Sequence, residues 1–127
     1  MKKQEFLKIR RYLNKTQRQL AHMLGISLKA VQSFEQGWRN IPCHVERQML
    51  FLLKKSNRCE PFEQTCWNCL NCTFERRNQC PAWEYKTGNL CWFINGNICK
   101  GIQQDSWKEK MAHCRQCKVF KSHFPIL

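Results

Sequence analysis

The sequence predicts a mainly α protein in two parts: an N-terminal domain of four to five helices over residues 1-56, and a small, irregular, metal-stabilised cysteine-rich domain over 57-127. Three observations predict this. Apolar residues in the first 55 positions recur at helical spacings of three and four. Charge is concentrated at the front: residues 1-58 carry 13 Lys and Arg against 3 Glu, and residues 59-127 carry 9 against 6 acidic residues. Nine of the ten cysteines lie from Cys59 onward. The basic front half is suited to a polyanion, whereas the back half is suited to thiol chemistry.

No apolar segment of the kind that directs secretion follows Met1-Lys2-Lys3. The longest aliphatic run, Met49 to Leu53, is far short of the ~20 apolar residues that span a bilayer. The expectation is a cytoplasmic protein with no membrane partner. Thiols are kept reduced there, and clustered cysteines bind metal more often than they pair.

From Lys2 to Leu13, the residues Phe6, Ile9 and Leu13, with Tyr12 beside them, predict one buried helical face. Asn14-Lys15 breaks this helix. Thr16 and Gln19 form a capping box that starts a second helix running to Leu24, and Gly25 follows where a left-handed residue is favoured. Ser27 caps a third helix, Leu28 to about Gln36, closed by Gly37. Ala21, Ile26, Val31 and Phe34 let the two helices cross as a helix-turn-helix. Pro42 opens a fourth helix with Val45, Met49, Leu52 and Leu53 on one face. Cys43, beside it, reads as a small packed residue.

The stretch "TQRQLAHMLGISLKAVQSFEQGWRNIP" resembles the Cro/phage-repressor class of helix-turn-helix domains, the xenobiotic-response-element type, over residues 3-55. The resemblance implies that the third helix reads the major groove of double-stranded DNA, with Ser27 at its start and Leu28, Lys29, Gln32 and Ser33 as base-edge candidates. Gln17, Arg18, Arg39 and Asn40 would hold phosphates and set register without reading sequence. Arg10, Arg11 and Lys15 could add phosphate contacts, although a charge cluster on the first helix is more often simply solvated. Such domains usually bind as homodimers on two-fold sites.

In the second part the spacing is C59-x6-C66-x2-C69-x2-C72-x7-C80-x10-C91-x7-C99-x14-C114-x2-C117. Two segments begin alike, Cys66-Trp67 followed by Cys72 and Cys91-Trp92 followed by Cys99. Polar segments such as Arg76-Arg77-Asn78-Gln79 separate the thiols, so a segment of about 60 residues buries too little apolar area to fold without a staple. Three readings are open. Cys66-x2-Cys69-x2-Cys72 with Cys80-Pro81 fits an iron-sulfur cluster of the 4Fe-4S type, with Trp67, Trp83 and Trp92 excluding solvent. Zinc needs four Cys or His ligands, for which Cys66-x2-Cys69 or Cys114-x2-Cys117 would each supply half. A disulfide or thiol switch is the third. His113 and His123 read as surface residues rather than ligands.

Cys66-Trp67, Cys72, Cys80-Pro81-Ala82-Trp83, Gly88, Cys91-Trp92, Gly96, Cys99, Gly101, Lys110 and Cys114-x2-Cys117-x2-Phe120 resemble the two-CW cysteine-rich domain, found attached to regulatory modules mainly in anaerobic bacteria. The shared cysteines Cys66, Cys72, Cys80, Cys91, Cys99, Cys114 and Cys117 form the ligand pool, with Cys69 an additional candidate outside the family pattern. The combined expectation is a redox- or oxygen-sensing transcriptional regulator, with a structural zinc platform for dimerisation or partner binding as the alternative. No phosphate loop and no nucleophile with a neighbouring base points to an enzyme or a small-molecule substrate.

Overall fold

In the computed structural model, which describes residues 1-56 and 65-127, the chain is mainly helical and divides into two compact units, Met1–Arg58 and Cys59–Leu127. Among the described residues no helix is long and apolar enough to cross a membrane. The linker around Lys54 to Pro61 falls largely outside the described residues, as does Cys59; the fourth helix continues through Ser56.

The first unit contains α1 (Lys3–Tyr12), α2 (Gln17–Leu24), α3 (Leu28–Gln36) and α4 (Cys43–Ser56). Local chemistry sets the boundaries. The Thr16 hydroxyl accepts from the Gln19 N–H at 3.1 Å while Gln19 Oε1 accepts from the Thr16 N–H at 3.0 Å, so two otherwise orphaned donors start α2. Gly25 ends it at φ +65°, and Gly37 ends α3 at φ +80°, both in the left-handed region open to glycine. The Ser27 hydroxyl accepts from the Ala30 N–H at 3.1 Å. These caps define the tight turn between α2 and α3.

Packing then orients the helices. Phe6 and Ile9 of α1, Leu20, Ala21 and Leu24 of α2, Val31 and Phe34 of α3, and Val45, Met49, Leu50 and Leu53 of α4 form the core. Phe6 and Phe34 meet edge to face at 5.7 Å. Three expectations differ here. In α4 Leu50 is buried and Leu52 only half-buried, because the stripe through Val45, Met49 and Leu53 widens toward Glu46, whose carboxylate lies 3.2 Å from the Met1 amino group. At the end of α1, Tyr12 is exposed and Leu13 half-buried, since the helix stops there and the buried face stops with it. Cys43 is exposed at the first position of α4, off the stripe that the core covers.

The second unit is built from short pieces: α5 (Cys66–Cys69), α6 (Phe74–Asn78), α7 (Pro81–Glu84), a 3₁₀ turn over Cys91–Phe93, β1 (Ile98–Cys99), β2 (Ile102–Gln103), α8 (Trp107–Cys114) and α9 (Lys118–His123). β1 and β2 pair antiparallel through Lys100-Gly101, both at positive φ (+54° and +79°), the two-residue turn whose twist matches a hairpin. Trp92 is buried against Phe120 and Phe124, with ring centroids 6.5 and 5.2 Å away, which seats α9 on the 3₁₀ turn. His123, expected at the surface, is buried, since the end of α9 turns it inward beside Phe124.

Candidate DNA-reading face and cysteine cavity

On α3, Lys29 and Gln32 are exposed one turn apart, and Gln36 falls on the same stripe at the next turn. Sequence reasoning missed Gln36, although the 29, 32, 36 spacing announces it. Leu28 is half-buried, and Ser27 is exposed but occupied as a cap. Ser33 does not belong to the face. It is 7% exposed and its hydroxyl donates to the Lys29 carbonyl at 2.8 Å, the back-bonding open to a helical serine.

Arg18, Arg39 and Asn40 are exposed. Arg39 and Asn40 share a surface cleft with Lys2 and Lys3, two further cations that sequence reasoning left unassigned. Gln17 turns inward: its side-chain amide donates to Glu35 Oε2 at 2.6 Å, and Arg10 Nε and Nη2 reach the same carboxylate at 2.5 and 3.2 Å. Arg10 is therefore no solvated charge. It ties α1 to α3, while its Nη1 donates to the Lys15 carbonyl at 2.9 Å.

In the second unit, five cysteines from separate segments line one small cavity of about 50 Å³: Cys66 of α5, Cys72 of the following turn, Cys80 at the cap of α7, Cys91 of the 3₁₀ turn and Cys99 of β1. Asn71, at φ +47°, makes the turn that brings Cys72 to the cavity. Asn97, fully buried, accepts from the Cys80 thiol at 3.9 Å and donates its amide to the Cys91 carbonyl, pinning two walls together. Cys114 of α8 is buried within electrostatic reach of Cys66, Cys91 and Cys99. Cys117 stands at the N-cap position of α9, without a side-chain cap hydrogen bond, and acts on Cys114. Cys69 packs with Cys117 against Ala82, Cys91 and Val119 and does not line the cavity.

The two Cys-Trp segments meet through their thiols. Cys91 donates to the Cys66 sulfur, which lowers Cys66 from its ordinary value and holds Cys91 well above it. Burial pushes Cys99 up to about 12, and it raises Cys114 and Cys72 as well. His113 is lowered by burial and then by Lys100 and Lys110, so it is poorly placed to gain a charge.

Lys110 of α8 is a residue that sequence reasoning named only within the family resemblance and gave no role. Its side chain is 0% exposed, its Nζ has no hydrogen-bond partner among the described residues, and its charge acts on Cys66, Cys99 and Cys114. The cavity wall adds Arg76 and Lys100 and, among the described residues, contains no carboxylate. Soft sulfur donors of this kind suit zinc, copper(I) and iron-sulfur groups, whose ligands must shed their protons. Among the described residues, no three His, Cys, Asp or Glu side chains stand close enough to share one metal ion. The donor chemistry thus fits a thiophilic group, and the spacing is that of an open cavity rather than a closed ligand set.

Compared with known proteins, the chain matches no family model, no curated protein and no solved structure.

Proposed function

We propose that this chain is a sequence-specific DNA-binding transcriptional regulator whose second unit carries a cysteine-ligated centre, an iron-sulfur cluster of the 4Fe-4S type, that reports oxidation or oxygen. The observation that carries the reading is the convergence of Cys66, Cys72, Cys80, Cys91 and Cys99 on one cavity, with Cys114 and a buried lysine beside them. Cys66, Cys80 and Cys91 also pack in one apolar cluster with Ala82 and Val119, and Cys72 and Cys99 join them at the cavity. The α2-turn-α3 arrangement, with Lys29, Gln32 and Gln36 exposed along α3 and Lys2, Lys3 and Arg39 lining a cleft of the same unit, supports a helix-turn-helix module in the major groove.

When bound, the cluster would supply a one-electron change in charge inside a thiol-lined cavity. Cys66, Cys72, Cys80, Cys91 and Cys99 are the residues that would hold it, with Cys114 and Cys117 in reserve. Ligation would lock together the short segments that carry them. A homodimer on a two-fold site would pass that ordering to DNA as a shift in population.

Binding of a labelled operator, selected from random duplexes, tests this with the centre intact, air-oxidised and removed. The reading requires affinity to differ by about fivefold or more between the intact and oxidised states; identical affinity in all three would end it. A second reading, a structural zinc platform for dimerisation or a protein partner, draws on the exposed Phe74, Tyr85 and Ile102 of the same unit. It requires DNA binding that ignores oxidant and is lost to a chelator.

A further inference from the structure

Lys110 occupies the inward stripe of α8, where Met111 and Cys114 are also buried and Trp107 is half-buried, at positions spaced by three and four. A cation at 0% exposure with no hydrogen-bond partner among the described residues is among the most unfavourable arrangements a fold of this size can hold. Among the groups its charge reaches are three sulfur atoms, Cys66, Cys99 and Cys114, and a second base, His113. Neutral thiols cannot compensate it. Arg76 and Lys100 on the cavity wall add to the same sign of charge.

We infer that Lys110 is the built-in counter-cation of an anionic thiolate centre, and that it fixes how firmly the centre is held and at what potential it gains an electron. The inference rests on the proposed cysteine-ligated centre. Four thiolates around divalent zinc or around an oxidised 4Fe-4S core leave a double negative charge. An adjacent ammonium inside a dry interior offsets part of that charge, and it favours the reduced, more negative state of a cluster over the oxidised one. Lys110 is a positioning residue that acts through the ligands and touches no DNA.

The test uses the full chain purified without oxygen, as wild type, Lys110→Met and Lys110→Arg. Lys110→Met keeps most of the stem and removes the charge; Lys110→Arg keeps the charge. The measurements are metal and sulfide content, the rate of metal loss to a chelator, and, where the centre is an iron-sulfur cluster, its midpoint potential. Lys110→Met should lose metal about tenfold faster, equivalent to about 1.4 kcal/mol, and a tenfold change in the one-electron equilibrium lowers the potential by about 59 mV. Lys110→Arg should stay within about threefold of wild type. With metal removed the direction reverses, since Lys110→Met relieves an unpaired buried charge and should melt higher than wild type.

A loaded Lys110→Met protein with the wild-type release rate and potential would overturn the inference while leaving the centre in place. Lower melting of Lys110→Met with and without metal, unrescued by Lys110→Arg, would make Lys110 a packing residue and overturn it too. Wild-type protein that holds neither metal nor sulfide would remove the centre itself, and this inference with it.

Discussion

Glu35 ties α3 to both of the helices that precede it. Its carboxylate accepts from Arg10 Nε at 2.5 Å, from Arg10 Nη2 at 3.2 Å and from Gln17 Nε2 at 2.6 Å, so one side chain joins α1, α2 and α3. The pair is sheltered: the Glu35 side chain is 7% exposed and that of Arg10 is 15%. Replacing Glu35 by Ala leaves a sheltered guanidinium and an amide without their acceptor. Breaking a buried pair from one side costs about 3–5 kcal/mol, and the remaining water access of Arg10 puts this case at the lower end, about 3 kcal/mol.

At about 0.05–0.15 kcal/mol per residue, a unit of this size holds roughly 3–8 kcal/mol in all. Glu35→Ala should therefore leave the first unit partly unfolded near physiological temperature. The assay is urea unfolding of the full chain, with hydrogen exchange read on peptides from α1 to α3. Glu35→Gln, which keeps an acceptor for Gln17, should lose about half as much. Arg10→Met combined with Glu35→Leu should lose less than Glu35→Ala alone, because both charges leave together. A loss below about 0.5 kcal/mol for Glu35→Ala, or a double variant no more stable than Glu35→Ala, would mean that the Arg10–Glu35–Gln17 cluster does not hold the three helices together.

Further outcomes are expected elsewhere. A Cβ on Gly88 would stand 2.6 Å from the Trp67 ring and 2.8 Å from Thr65 Cβ, and the Gly88 carbonyl accepts from the Cys66 N–H at 3.1 Å. Gly88→Ala should therefore destabilise the second unit by about 1–3 kcal/mol and lower its metal content, whereas wild-type melting would refute the contact. Lys29→Ala should relax preference at one base position, while Arg39→Ala should weaken all duplexes alike and flatten the salt dependence; parallel weakening would misplace the reading face. In metal-free protein the raised Cys99 thiol, at about 12 against the ordinary 9.0, contributes stability that is complete below pH 9 and fades as pH climbs toward 12. Melting should fall over that window, by at most about 1.4 kcal/mol per pH unit from this group, and metal-loaded protein, its thiols already deprotonated, should resist the fall.

The first unit was legible wherever a local rule decides structure. Thr16 with Gln19, Ser27, Gly25 and Gly37 mark helix ends by hydrogen bonds and backbone angles that neighbours cannot override, and each stands where those rules put it. Side-chain direction was less legible. Ser33 turned inward because Lys29 offered a carbonyl, and Arg10 found Glu35 across 25 residues, a partner that helical spacing within α1 cannot reveal. In the second unit, cysteine spacing named the thiols without saying which would meet. Cys69 sits three residues from Cys66, on the same short helix, yet only Cys66 lines the cavity. The Lys100-Gly101 hairpin has no Asn-Gly or Asp-Gly signal and escaped notice. Lys110 did carry a signal, a cation on the apolar stripe of Trp107, Met111 and Cys114, and such a position asks for an anion.

Metal and acid-labile sulfide content, with a visible absorption spectrum of protein purified without oxygen, decides whether the cysteine cavity holds an iron-sulfur cluster. Iron and sulfide in equal amounts, with a broad brown absorption that bleaches in air, are the predicted result. A colourless protein with stoichiometric zinc, or with no metal at all, would contradict it.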